Sequence, residues 1–170
     1  MNYFFYRHRR LYGEGLPLAA LAEKFGTPLY VYSYQTMAKH FRRILDTWRP
    51  QPVTIAYSMK ANPSLGILAC LRKLGSAVDV VSGGEIYRAL RAGYRPADII
   101  FGGVGKSDAE IACAVEKGVH LIVADSLEEL RRIDRAGRRG RKKVRVGLRV
   151  NPEIDPKTHP YVATGLKESK

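Results

Sequence analysis

The stretch "VTIAYSMKANPS", residues 53–64, predicts a strand that runs directly into a turn and the start of a helix. Its first half is apolar and rich in β-branched residues, which favours a buried strand. Asn62 and Pro63 fit a helix N-cap followed by proline at the first helical position. Lys60 is therefore placed at the carboxyl end of a buried strand, where a flexible cation is unusual.

The same strand-then-helix pattern repeats four more times. Apolar runs begin near residues 77, 98, 120 and 144, at intervals of 21 to 24 residues from residue 53. Three of the intervening segments open with Ser-x-x-Glu, a capping-box pattern, at Ser82, Ser107 and Ser126. The glycines that we expect to end the helices are Gly75, Gly93, Gly118 and Gly137. Repeated βα units with continuous apolar strands predict an α/β fold with a parallel, covered sheet.

Two architectures satisfy this pattern, a doubly wound sheet and a (β/α)₈ barrel of which about five parallel strands are present. In both, active sites collect at the carboxyl ends of the strands. Those ends read "SMKAN", "DVVSGGE", "FGGVGKS", "VADS" and "RVNP", and all of them carry polar or glycine residues. The sequence therefore predicts a small-molecule site on this rim. The "GGVGKS" segment is not a complete phosphate-binding loop, because Ile100 stands where the first glycine is required.

Composition is typical of an ordinary globular protein with one substantial core: 170 residues, 45% hydrophobic and 26% charged. No run approaches the ~20 apolar residues of a membrane span, and the N-terminus lacks the apolar length of a secretory signal. We therefore expect a cytoplasmic protein with no membrane partner. Cys70 and Cys113 fall on apolar helix positions without metal-like spacing, so we expect buried free thiols and no metal site.

The net charge of +13 is concentrated in residues 135–149, which hold eight cations and no acid. Such a run could bind nucleic acid or another anionic partner. A helix C-terminus followed by a solvated connection accounts for it equally well, since cations suit that end of the helix dipole. No aromatic residue interrupts the run to stack on bases. We do not expect nucleic acid as a partner, and a non-catalytic basic fragment remains an alternative.

Lys60 is the strongest candidate for a residue that takes part in a reaction. At the mouth of a closed barrel, partial desolvation favours the neutral amine, which is a nucleophile toward carbonyls and forms Schiff bases. A loop lysine that points into water is the alternative interpretation of the same position.

Several segments carry a resemblance to a known family. "YSMKAN" resembles the cofactor-lysine motif of the fold-type III, alanine-racemase-like enzymes that use pyridoxal 5′-phosphate (PLP). Together with "DVVSGGE", "RVNP" and "THPYVATGLKESK", it is similar to the diaminopimelate decarboxylases. The resemblance extends over essentially the whole chain, and "KFGTPLYVYS" near its start belongs to it. The lysine motif alone is shared with ornithine and arginine decarboxylases, which remain alternatives together with racemases of the same fold.

The resemblance implies a function and a set of site residues. Lys60 would bind PLP covalently, and the enzyme would convert meso-2,6-diaminopimelate to L-lysine. Asp79, Arg149 and Asn151 match polar positions near the cofactor. Glu85 either serves the site or only caps its helix with Ser82. Positions in a loop that covers the active site of relatives are matched by His159, Val162 and Thr164.

The resemblance also implies a domain organisation. Residues 1–34 would pack on a β domain that is absent from this chain, and residues 35–170 would form the N-terminal part of the PLP-binding barrel. A complete barrel needs roughly 250 residues, so we expect an N-terminal fragment that is inactive alone and belongs to a homodimeric enzyme. Within the first segment, "LPLAALAEKFG" predicts a short helix, and "YQTMAKHFRRILDTW" predicts a longer one that leads into the repeats.

Overall fold

A computed structural model describes residues 3–151, which form two sheets and six α-helices. In chain order the elements are β1 (Phe4–Arg7), β2 (Arg10–Gly13), β3 (Leu16–Pro17), α1 (Leu18–Phe25), α2 (Tyr34–Thr47), β4 (Ala56–Ser58), α3 (Leu65–Lys73), β5 (Ala77–Val80), α4 (Gly83–Arg91), β6 (Ile99–Phe101), α5 (Asp108–Lys117), β7 (Leu121–Ala124), α6 (Leu127–Gly140) and β8 (Val146–Leu148). Short 3₁₀ turns lie at Met59–Ala61 and Pro96–Asp98.

The repeated units form one parallel five-stranded sheet in the order β4-β5-β6-β7-β8, which confirms the predicted α/β class. Each strand pairs with its neighbour in sequence, as in a barrel wall. Ser58 pairs with Asp79, and Asp79 pairs with Ile100 on the next strand. Among the described residues the sheet does not close, so β4 and β8 are its two edges.

The two faces of this sheet differ in burial. Residues that face the helices are fully buried, as Val78, Val80 and Phe101 show. Residues that alternate with them, such as Asp79 and Ile100, are only half-buried. No described element covers the second face, which would be the interior of a closed barrel. Strand β4 is correspondingly shorter and more exposed than the sequence predicts, since it has a neighbour on one side only.

The hydrophobic core lies between the sheet and its helices. Large side chains with almost no exposure come from the strands at Ile99, Phe101 and Ile122, and from the helices at Ile111 and Ile133. Each such side chain stabilises the fold by about 1.5–3 kcal/mol through burial. Both cysteines are free, as expected, but only partly buried, because neighbouring residues such as Leu71 and Ala114 occupy the buried positions.

The predicted serine caps are present at α4, α5 and α6, with variations. Ser107 and Glu110 form the complete reciprocal capping box. In α4, the Glu85 side chain instead accepts a hydrogen bond from the Val81 amide at 2.8 Å, so it ties the helix to the preceding strand. Glu129 of α6 binds the amide of Asp125 in the same way at 2.9 Å. These glutamates therefore hold the rim segments at the carboxyl ends of their strands.

Two helix boundaries differ from the sequence-based expectation. Helix α3 begins after Ser64 rather than at Pro63, because Ser64 has an extended backbone; the Asn62 side chain accepts a hydrogen bond from the Ser64 amide at 2.9 Å. Gly137 lies inside α6 and does not end it. A Cβ at Gly137 would lie 3.1 Å from the carbonyl oxygen of Lys142, so this glycine permits a close backbone approach instead.

The first 17 residues contain an antiparallel sheet, β1-β2-β3, that sequence reasoning missed. The turn between β1 and β2 is formed by His8 and Arg9, which both have positive φ values, 48° and 60°. Hairpin turns of that kind usually carry Asn-Gly or Asp-Gly, so the usual sequence signal is absent. Helices α1 and α2 are as predicted. Glu14 joins this sheet to the start of α2, because its carboxylate accepts hydrogen bonds from Ser33 and Gln35.

Candidate active site

Lys60 lies two residues beyond the end of β4, within the 3₁₀ turn Met59–Ala61, as its predicted position requires. The turn is anchored by Met59, whose side chain is completely buried, while Lys60 is exposed. On the far side of the turn, the Tyr57 hydroxyl donates a hydrogen bond to the carbonyl of Asn62 at 3.2 Å. Burial raises the pKa of Tyr57, so this hydroxyl keeps its proton. The lysine is thus presented to solvent by a fixed backbone.

Asp79 projects from the half-buried face of β5, as its alternation with Val78 and Val80 predicts. The Ser58 hydroxyl donates a hydrogen bond to Asp79 Oδ2 at 3.3 Å across the paired strands. A Cβ placed on Gly102 would lie 3.4 Å from Asp79 Oδ1, so glycine leaves room beside the carboxylate.

Lys60, Asp79 and Arg149 line one open cavity of about 580 Å³ at the carboxyl ends of the strands. Such a volume is within the range of about 300–1,000 Å³ that holds small molecules. The remaining lining residues are Val81, Gly102, Gly103, Val104, Gly105, Val123 and Asp125. The predicted rim therefore brings together side chains that are far apart in sequence.

Arg149 follows β8, and its amide donates to the carbonyl of Ala124 at 2.9 Å, which extends the sheet pairing by one residue. Its guanidinium Nη1 lies 3.5 Å from Asp125 Oδ1 at the cavity wall. Asn151 is exposed and lines an adjoining hollow of about 450 Å³, not the cavity of Lys60. Three predicted site residues lie outside the described part of the chain: His159, Val162 and Thr164.

Sequence reasoning missed a buried charge cluster directly behind this wall. It consists of Lys106, Asp125 and Glu129, and the Lys106 side chain has no exposed surface. Lys106 belongs to "GGVGKS", which was considered only as an incomplete phosphate-binding loop. Asp125 stands in the strand end "VADS", so its position on the rim was visible although its partners were not. For both Lys106 and Asp125, the available sign of a role at the site was a charged residue at the end of a strand.

The residues of the cavity fit an aldehyde cofactor such as PLP. The exposed Lys60 amine is free to react with a carbonyl, and Arg149 and Asp79 supply opposite charges to polar groups of a ligand. The wall near residues 102–105 is glycine-rich, which allows close backbone approach to a ligand. Gly103 has a φ of +97°, a conformation that favours glycine.

Comparisons with known proteins show which family the chain resembles. Residues 34–170 match the family model described as pyridoxal-dependent decarboxylase, pyridoxal binding domain. The chain is 44% identical over 170 residues to the diaminopimelate decarboxylase of Pseudomonas aeruginosa, covering 100% of this chain and 41% of that protein. It is 43% identical to the diaminopimelate decarboxylase of Haemophilus influenzae, again over 41% of the relative.

Solved structures show the same similarity in three dimensions. The Helicobacter pylori diaminopimelate decarboxylase complexed with L-lysine matches with a TM-score of 0.85 and 40% identity, over 89% of this chain and 38% of that one. The M. jannaschii enzyme in co-complex with L-lysine matches with a TM-score of 0.89 and 35% identity, over 98% of this chain and 40% of that one.

The fold and the site define a barrel-type α/β domain with an exposed lysine at the strand ends. The chain belongs to the family of pyridoxal-dependent decarboxylases, and it matches their pyridoxal-binding domain. PLP is the cofactor of this family, and the chain spans 41% of the length of the relatives that it matches first. No helix in the described part of the chain is both long and apolar enough to cross a membrane.

Proposed function

We propose that the full-length protein containing these residues decarboxylates meso-2,6-diaminopimelate to L-lysine. The observation that carries the proposal is the position of Lys60, whose exposed amine opens on a cavity shared with Asp79 and Arg149. The similarity to diaminopimelate decarboxylases over the whole chain supports the choice of substrate.

The residues of the cavity have distinct proposed roles. Lys60 binds the aldehyde carbon of the cofactor through its amine. PLP, when bound, accepts the electron pair that carbon dioxide leaves behind. Asp79, oriented by Ser58, presents a carboxylate to a cationic or hydrogen-bond-donating group. Arg149 presents a guanidinium to an anionic group, for which its planar donor geometry is suited.

We also propose how this domain fits into the full-length protein. Residues 1–34 pack on a further β domain, which is consistent with the strong exposure of Phe25, Tyr30 and Tyr32, at 64%, 86% and 55%. Residues 35–170 form the N-terminal part of the barrel. The enzyme acts in the cytoplasm as a homodimer.

The lysine assignment is tested on the full-length protein with added PLP. The unsubstituted protein should show the visible absorption band of lysine-bound PLP, and borohydride should fix the cofactor onto Lys60. Lys60→Ala should lose the band. Lys117→Ala is the matched control, because Lys117 is an exposed lysine of α5 that pairs with the exposed Glu116. Peptide mapping that finds the adduct on another lysine would overturn the assignment.

The substrate is tested by supplying meso-diaminopimelate, L-ornithine and L-arginine in parallel and measuring carbon dioxide release. Chiral chromatography identifies L-lysine and detects racemised amino acids. Release from meso-diaminopimelate with formation of L-lysine supports the proposal. A preference for ornithine or arginine, or racemisation without carbon dioxide release, would assign the alternative reactions.

A further inference from the structure

Lys106 is a lysine with no exposed side-chain surface, whereas Lys60 is exposed. Its ammonium has three donors, and each has an acceptor: the carbonyl of Gly103 at 2.5 Å, Glu129 Oε2 at 3.0 Å and Asp125 Oδ2 at 3.3 Å. A buried lysine is found only where its charge is compensated. This geometry leaves Lys106 no donor for a phosphate or another ligand.

The two carboxylates around Lys106 are themselves nearly buried. The side chain of Glu129 is 6% exposed and that of Asp125 is 14% exposed. Glu129 Oε2 accepts both the Lys106 ammonium and the Asp125 amide, so it fixes the backbone and the cation together. Removing Lys106 would leave two carboxylates without their shared cation, which is far less favourable than an intact pair.

Asp125 connects this cluster to the cavity. Its Oδ2 faces Lys106, while its Oδ1 faces the Arg149 guanidinium at 3.5 Å. Arg149 is 43% exposed, and an arginine so exposed would sample many rotamers without a fixed partner. Because the Lys106 ammonium fixes Asp125 Oδ2, the other oxygen, Oδ1, stays directed at the Arg149 guanidinium.

We propose that Lys106 is a positioning residue, which acts through Asp125 to hold Arg149 at the wall of the PLP cavity. The inference rests on the proposed function, since it assigns Arg149 to a cavity that binds PLP. Lys106 itself touches neither cofactor nor substrate. The shell behind a site commonly orients the residues that meet the ligand.

The test is a double-mutant cycle on the full-length protein, in which each variant is titrated with PLP and the apparent dissociation constant is read from the visible absorption band. Lys106→Met is measured with Arg149 present and in the Arg149→Ala background. We expect weaker PLP binding by about tenfold in the first case and by less than about twofold in the second, because contacting residues are energetically coupled. Lys117→Met is the matched control and should leave the affinity unchanged.

A purely structural role predicts a different result. If Lys106→Met lowers PLP affinity by the same factor in both backgrounds, or does not lower it when Arg149 is present, the inference is wrong. If Lys106→Met does not yield folded protein, Asp125→Asn replaces it in the same cycle, and its effect must likewise disappear without Arg149. Absence of the PLP band in the unsubstituted protein would overturn the proposed function together with this inference. If the unsubstituted protein shows the PLP band but Lys106→Met lowers PLP affinity by the same factor in both backgrounds, only the positioning role is overturned.

Discussion

Gly103→Ala is a sharp test of how the rim of the cavity is built. Gly103 lies in the connection between β6 and α5 with a φ of +97°. A Cβ built on this glycine would lie 3.0 Å from the carbonyl oxygen of Val81 and 3.2 Å from the Val81 Cβ. The nearest atom belongs to the backbone of a strand end, which cannot move aside as a flexible side chain would.

The expected change in stability combines two losses and one smaller gain. An alanine held in this backbone region costs about 1–3 kcal/mol. The contact with Val81 adds about 1–3 kcal/mol, as overpacking typically does. Reduced freedom of the unfolded chain returns about 0.4–1 kcal/mol. We therefore expect the free energy of unfolding to fall by roughly 3 kcal/mol, on the basis of these values.

Gly105→Ala is the control in the same connection. Gly105 has no left-handed φ, and nothing lies within 4 Å of a Cβ built on it. This substitution should therefore be neutral or raise the free energy of unfolding by about 0.5 kcal/mol. Both variants are compared by urea denaturation of the full-length protein without PLP, because bound cofactor would add its own stabilisation.

The reasoning holds only if Gly103→Ala has a lower free energy of unfolding than Gly105→Ala. If Gly103→Ala unfolds at the same urea concentration as Gly105→Ala, the backbone at Gly103 does not require glycine. A normal stability of Gly103→Ala with weakened PLP binding would place the importance of this residue in ligand contact instead.

Two further expectations concern the same rim and the open sheet. Hydrogen bonds from the amide of Gly83 and from Ser107 lower the pKa of Glu110 from its ordinary value of 4.5. Glu110→Gln should therefore lower stability by about 1 kcal/mol at neutral pH. The deficit should vanish as the pH falls through the lowered pKa, because the native carboxylate is then protonated too. Glu116→Gln, on the same helix, should change unfolding by less than about 0.5 kcal/mol at any pH. The 170-residue chain by itself should release no carbon dioxide from meso-diaminopimelate with added PLP, because within residues 3–151 the sheet has two unpaired edges, β4 and β8, and one uncovered face. Turnover on the order of 1 s⁻¹ would contradict this expectation.

The fold class could be predicted because its signals are local. Apolar runs at regular spacing, serine caps and glycine stops each act within a few residues, and they place most of the helices and strands that the structure contains. The hairpin at His8 and Arg9 was missed because its residues carry no sign of the positive φ values that they adopt. Gly137 misled the helix boundary because a glycine needed for close packing looks the same as one that ends a helix.

The residues of the candidate site were likewise only partly predictable from the sequence. Lys60, Asp79 and Arg149 were predictable because each stands at a strand end, and parallel strands bring their carboxyl ends to one rim. Asn151 was assigned to the same site by the resemblance, and it lines a hollow that shares Asp125 and Arg149 with the cavity of Lys60.

The sequence by itself determined the order of the βα units and the position of Lys60 at a strand end, since periodicity and caps are properties of neighbouring residues. Only the tertiary structure decided which charges meet. Lys106 is 19 residues from Asp125 and 23 from Glu129, and no local pattern pairs them. They come together because β6 and β7 are adjacent in the sheet, and because a cation excluded from water binds the carboxylates within its reach.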